Sequence, residues 1–229
     1  MALSIQSNSA ATTIRNQLNR TNDGLSVALE RLGTGFRINS AKDDAAGLQI
    51  ASRLSAQLVG QETAINNANN ANSMLQTAEG AFDEMTNIVF RMKELATQGA
   101  NGTNSATEYT ALGGEYTALA AELTNILGNT SFGSGTNLLG GGGKFSAAVT
   151  FQIGASAAET LAVDITAELT ALTTAIGAPG ALTDQATSTT AIGTLDTLLT
   201  NVGAARSKLG ASMNRLDHTI NNLSNMTEN

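Results

Sequence analysis

Apolar residues in this chain return at intervals of three and four along several long stretches, the spacing that lines up one face of an α-helix. Ile14, Leu18, Leu25, Leu29 and Leu32 make a narrow stripe within a helix expected over residues 3–32, whose other faces are mostly Asn, Gln, Ser and Thr. Such a helix is marginal alone and requires a partner for its stripe. A clearer pattern lies in a long helix expected to run to about Gln98. There Ala68, Ala71, Leu75, Ala78, Phe82, Met85, Val89, Met92 and Ala96 are spaced 3, 4, 3, 4, 3, 4, 3, 4. An ordinary core helix drifts away from that repeat, whereas a coiled seam holds it. From about residue 191 the heptads return, with Leu195, Val202, Leu209, Leu216 and Leu223 every seven residues. Interleaved four residues after each are Leu199, Arg206, Met213, Ile220 and Thr227, so Arg206 is the one charge expected in that seam.

Between these stretches the punctuation changes. Gly33 and Gly35 end the first helix within the sequence RLGTGFRINSAKDDAAGLQIA at 31–51. Ser40 followed three residues later by Asp43 resembles a capping box, which would put Asp43 and Asp44 in a first helical turn, where the helix dipole favours negative charge. Asn101-Gly102 predicts a turn, and Glu108 to Leu127 a shorter helix weakened in its middle by Gly113-Gly114. Residues 128–154 are rich in Gly and strand formers, with Val149, Phe151 and Ile153 alternating; they predict hairpin strands, followed by a third short strand over 161–165. Residues 166–190, which include Pro179, carry little pattern and read as a short helix or loop at a tip. The fold class expected is mainly α: a long, coiled-coil-like helical rod with a small β-hairpin region and both termini at one end.

Composition agrees with a rod. Aromatics are 3% and charged residues 14%, there is no Trp, and Pro179 is the single proline; aligned helices fill a narrow seam with Leu, Ala and Met and need little aromatic bulk. The net charge of −7 gives no electrostatic footing on a phosphate backbone, so nucleic acid is not an expected partner. No cysteine is present, which excludes disulfides and thiolate metal sites. The start, MALSIQSNSAATTIRNQ, lacks the basic n-region and apolar run of a cleavable signal peptide, and no stretch is apolar enough to span a membrane.

Candidate chemistry does not assemble. His218 is the single histidine, beside a seam already filled, and reads as a surface residue. Gly140 to Gly143 before Lys144 fails as a phosphate loop, because Leu138 stands at the first glycine position and Phe145 where Ser or Thr belongs. Asp43 and Asp44 are neighbours on a helix and point about 100° apart, so they cannot share a proton or a metal. No catalytic, metal or cofactor residues are expected, and the chain reads as an assembly subunit rather than an enzyme.

Several ordered blocks carry a resemblance: RLGTGFRINSAKDDAAGLQIA, QTAEGA at 76–81, RMKELATQGANG at 91–102, FQIGA at 151–155 and RSKLGASMNRLDHTINNLSN at 206–225. Together they resemble bacterial flagellins over roughly 1–155 and 191–229. The resemblance implies a structural subunit of the flagellar filament, secreted through the flagellum's own channel. Its implied partners are other flagellin subunits, a flagellar export chaperone, the cap, and vertebrate Toll-like receptor 5. The implied layout is a half inner-core domain over 1–43, rod helices over 44–128 and 181–229, and a β-hairpin region with a tip loop over 129–180. The rod seam includes Leu75, Phe82, Met85, Val89, Met92 and Val202. By the family's receptor-contacting motif, Arg91 and Leu95 match RMKELATQ and Glu115 matches more loosely, with Arg91 and Leu95 expected to share an exposed helix face. Flagellins continue past the block matching NNLSN into a helix that pairs with the N-terminal one, so the stripe from Ile14 to Leu32 is expected to lack a partner in this chain. The nearest alternative is a hook–filament junction protein, which shares the terminal helices.

Overall fold

The computed structural model describes residues 9–133, 135–177 and 180–228. They form five α-helices and two small antiparallel strand pairs: α1 (Ser9–Thr34), α2 (Ala45–Gly99), α3 (Ala106–Asn129), β1 (Ser131–Phe132), β2 (Thr136–Asn137), β3 (Val149–Gln152), β4 (Thr160–Val163), α4 (Thr166–Gly177) and α5 (Gln185–Glu228). The chain divides into two units, one ending at Gln57 and the other beginning at Leu58.

The first unit contains α1, the following turn and the start of α2. Residues 3–8 of the expected first helix lie outside the described residues; from Ser9 the helix continues two residues past Leu32 to Thr34. None of its residues is buried, and Ile14, Leu18, Leu25, Leu29 and Leu32 all face solvent. Gly35 takes a left-handed φ of 75°, which a side chain would strain, and this ends the helix. The capping expectation needs correcting, because the helix begins four residues later than a cap at Ser40 would place it. Asp43 does reach back, its Oδ2 accepting from the Ser40 N–H and Oγ, each at 3.1 Å. The helix, however, starts at Ala45, so Asp43 and Asp44 precede its first turn. The residue that caps α2 is Asp44, whose Oδ1 accepts from the Gly47 N–H at 2.8 Å.

The second unit holds the core. Along α2 the whole predicted seam from Ala68 to Ala96 is buried. Ser105 and Glu108 form a capping box at the start of α3, and Gly113-Gly114 leave that helix unbroken. In the long antiparallel pair, β3 and β4 are in register from Val149↔Val163 to Gln152↔Thr160, with Leu161 and Val163 turned into the core. The region taken as low in pattern contains a 12-residue helix, α4, which buries Leu169, Leu172 and Ile176 at spacings of three and four. Of the two readings given for 166–190, short helix or loop, the helix is the one formed; Thr and Ala dilute its three apolar positions, so periodicity alone did not choose between them. Pro179 lies outside the described residues. Likewise α5 starts at Gln185 rather than near 191.

Polar ties set the direction of α5 against α2. Asn72 bonds Asp217, Arg206 bonds Glu79, and Lys93 pairs with Asp196; rising numbers on α2 meet falling numbers on α5, so the two run antiparallel. Leu195, Val202, Leu209, Leu216 and Leu223 are all buried. The interleaved row differs from expectation. In the first half of α5 it is Ala191, Leu198 and Ala205 that are buried, three residues after the buried heptad positions Ser188, Leu195 and Val202 rather than four. Leu199 is only half-buried, and Arg206 lies on the flank of the seam. Spacings of +3 and +4 both satisfy a heptad, and the side from which the neighbouring helices approach chooses between them.

Candidate functional site: the packing surfaces of the helices

The seam is built from the residues upward. Leu75, Phe82, Met85, Val89 and Met92 on α2 and Val202 on α5 belong to one apolar cluster with Tyr116, Leu123, Phe145 and Leu161. Alanines at 64, 68, 71, 78 and 96 share the seam with these larger residues, and small positions let a neighbouring helix approach closely. Fully burying one such large apolar side chain is worth about 1.5–3 kcal/mol. The seam's apolar surface is thus spent inside the chain. Burial pushes the Tyr116 hydroxyl up to about 12, because its charged form would lie in the apolar core.

Three cations flank the seam and tie elements together. Arg206 reaches Glu79 at 2.8 Å and Asp83 at 3.1 Å. Lys93 pairs with Asp196, and Lys208 meets Glu168 of α4 at 2.7 Å. Glu168 is the most sheltered of these carboxylates, and its hydrogen bond from Lys208 holds it below the usual glutamate range. Sequence reasoning recognised Arg206 but missed its acidic partners, along with Lys93, Asp196, Glu168 and Lys208. The signal for Glu79 and Asp83 was present, since they lie four apart on one helix face.

The structure brings Arg91 and Glu115 together across α2 and α3. Arg91 Nη2 lies 2.7 Å from Glu115 Oε1, while its Nη1 lies 2.6 Å from Glu94 Oε2. All three side chains are about half exposed. Hydrogen bonds that Arg91 donates to Glu94 first and Glu115 second raise its already high value, so this guanidinium remains charged throughout. Leu95 does not join them. It was expected on the same exposed face, but it is 1% exposed and part of the core. The packed sector of α2 is wider than a two-position seam: Ile88 and Leu95, seven residues apart, are buried beside Val89, Met92 and Ala96. A heptad stripe alone would leave them at its edge; burial on a second flank is what a helix gains from more than one neighbour.

The remaining candidates have structural explanations. His218 is exposed. In the 140–146 turn the Gly143, Phe145 and Ser146 N–H groups donate to the carbonyls of Gly140, Leu138 and Gly143, and Phe145 is buried; those donors are not available to cradle a phosphate. Among the described residues no group of three or more His, Cys, Asp or Glu could hold a metal ion. No described helix is long and apolar enough to cross a membrane.

Comparison with known proteins places these features. Residues 5–144 match the bacterial flagellin N-terminal helical region, and residues 192–229 match the bacterial flagellin C-terminal helical region. Polar flagellin F of Vibrio parahaemolyticus is 48% identical over 165 residues, covering 72% of this chain and 43% of that protein. Flagellin A of Vibrio anguillarum is 45% identical over 166 residues, with the same coverage. The chain therefore spans less than half the length of these relatives. A crystal structure of Bacillus cereus flagellin is similar with a TM-score of 0.58 at 35% identity, covering 69% of this chain and 88% of that one. A putative flagellar hook-associated protein from Vibrio parahaemolyticus gives a TM-score of 0.63 over 81% of this chain and 95% of its own, but at 16% identity it speaks for the fold alone. With ordered terminal matches spread over helices that share one seam, the chain belongs to the bacterial flagellin family.

Proposed function

We propose that this chain is a structural subunit of the bacterial flagellar filament, secreted to the cell exterior and joined there to other flagellin subunits. The observation that carries this reading is the contrast between a seam satisfied within the chain and an α1 stripe that buries nothing. Apolar residues at heptad-like spacing lose their hydrophobic gain in water, and packing against other subunit segments would recover it. In this reading residues 1–43 belong to the inner core of the filament. The helices of 44–128 and 181–229 form the surrounding rod, and residues 129–180 lie on it as hairpins and tip. The role is structural rather than enzymatic, and the export chaperone and cap are the expected passing partners.

The test is intact-mass and peptide analysis of filaments sheared from the source cells, with immunogold labelling for position. Labelling along the filament supports the proposal. Labelling confined to the hook boundary would favour the junction-protein alternative, and finding the chain only inside cells would remove both.

Recognition by Toll-like receptor 5 is a second reading, supported by the exposed Arg91–Glu115 pair and the family's motif around it. A half-exposed arginine held between two carboxylates is a suitable interface anchor. Since Leu95 is buried, its part would be to hold α2 in place beneath Arg91. Arg91→Ala should weaken receptor binding while the circular-dichroism helix signal stays intact. Parallel loss of both would make Arg91 a structural residue.

A further inference from the structure

The buried part of α2 begins abruptly. From Ala45 to Val59 no residue is buried, then Gln61 and Ala64 are, and the seam continues from there. The residue at the change is Gly60, a poor helix former in the middle of a 55-residue helix. Lying against it is the turn of the β3–β4 hairpin: a β-carbon built on Gly60 would stand 2.7 Å from Ala155 Cβ and 3.3 Å from its Cα.

That turn is stiffened from within. Gln152 Nε2 lies within hydrogen-bond distance of the carbonyls of Gly154, Ser156 and Glu159, at 2.8, 2.7 and 3.1 Å. Glu159 Oε2 accepts from the Ser156 N–H at 2.8 Å, and the Ile153 N–H donates to the Glu159 carbonyl at 3.0 Å. The strand end is tied to α2 two turns further on, where Asn67 Nδ2 donates to the Gln152 carbonyl at 3.4 Å. Gln152 thus serves both attachments, its side chain closing the turn and its carbonyl meeting α2.

We propose that the β3–β4 turn is a clasp seated on α2 at Gly60, and that this clasp sets where the held part of α2 begins. Gly60 is needed for the close approach of the two backbones, not for bending. Release of the turn frees α2 from Gly60 to about Asn67 while leaving the seam beyond it in place. This inference goes beyond the filament reading and does not depend on it.

The test is hydrogen exchange by mass spectrometry on the full chain, comparing Gly60→Ala with Gly80→Ala. Gly80 lies in the same helix with nothing within 4 Å of its added β-carbon, so its variant reports helix propensity alone and should slow local exchange. Gly60→Ala should instead speed exchange of the amides of 149–163 and 60–67 by roughly tenfold, the signature of a local opening. The double variant Gly60→Ala, Ala155→Gly should restore protection by removing the clashing carbon. If Gly60→Ala behaves like Gly80→Ala, or if Ala155→Gly rescues nothing, the clasp is not seated at Gly60 and the inference falls.

Discussion

The leucines of α1 and those of α5 are drawn from similar patterns and meet opposite fates. Leu18, Leu25 and Leu32, seven residues apart, are 55–80% exposed. Leu195, Leu209 and Leu223, fourteen residues apart in the same kind of repeat, are at most 6% exposed. Nothing in local spacing separates the two rows. What separates them is the presence of a second apolar row within the same chain: α5 has α2, antiparallel and tied to it by Arg206, Lys93 and Asn72, while α1 buries nothing. Amphipathic periodicity declares that a face needs cover. It does not say whether the cover is intramolecular.

The largest way to break this comparison is to charge the seam. Phe82→Asp places an uncompensated carboxylate among residues with no solvent access, and a loss of more than about 4 kcal/mol is expected, enough to remove cooperative unfolding of the second unit. A thermal melt unchanged from the parent would mean that the α2 seam is not a packed core.

A smaller and more symmetrical test deletes one leucine from each row. Leu209→Ala should cost about 2–5 kcal/mol of chain stability, since the site is fully buried. Leu25→Ala in α1 should leave the unfolding free energy of the free chain, measured by chemical denaturation, within about 0.5 kcal/mol of the parent. On the proposed function the ranking reverses for assembly, with Leu25→Ala impairing polymerisation despite normal stability of the second unit. Equal destabilisation by the two variants would show that α1 is already covered in the free chain.

The smallest effect concerns the flank. The folded-state value of Glu168 is depressed by Lys208, so its contribution is present above the ordinary glutamate range and is lost as pH falls through the lowered folded value. Lys208 is about half exposed, which limits the pair to less than about 1 kcal/mol. Glu168→Gln should lower stability slightly at neutral pH, and its difference from the parent should close in acid. A difference that stays constant down to acid pH would assign the effect to packing of α4 instead of to the ion pair.

Legibility followed length and contrast. The α2 seam was readable because nine positions kept a 3,4 alternation through a polar background, and a run of that length averages out accidents. Helix α4 offered three buried positions among Thr and Ala, too few to distinguish from a loop. The candidate receptor patch was half readable. Arg91 is exposed as its chemistry suggests, but Leu95 sits at a position whose burial depends on how many helices flank α2, and one helix's periodicity cannot count its neighbours.

The sequence by itself determined the helical class, the apolar faces of α2 and α5, the turn regions and the family. Those follow from the fixed 3.6-residue turn of the helix and from residue identity, both local properties. Only the tertiary structure decided the +3 row of α5, the capture of Leu95 in the core, the placement of α4, the acidic partners of Arg206 and the seat of the β3–β4 turn on Gly60. Each of these depends on the direction from which a remote segment approaches, and that direction is set by side chains on both surfaces at once.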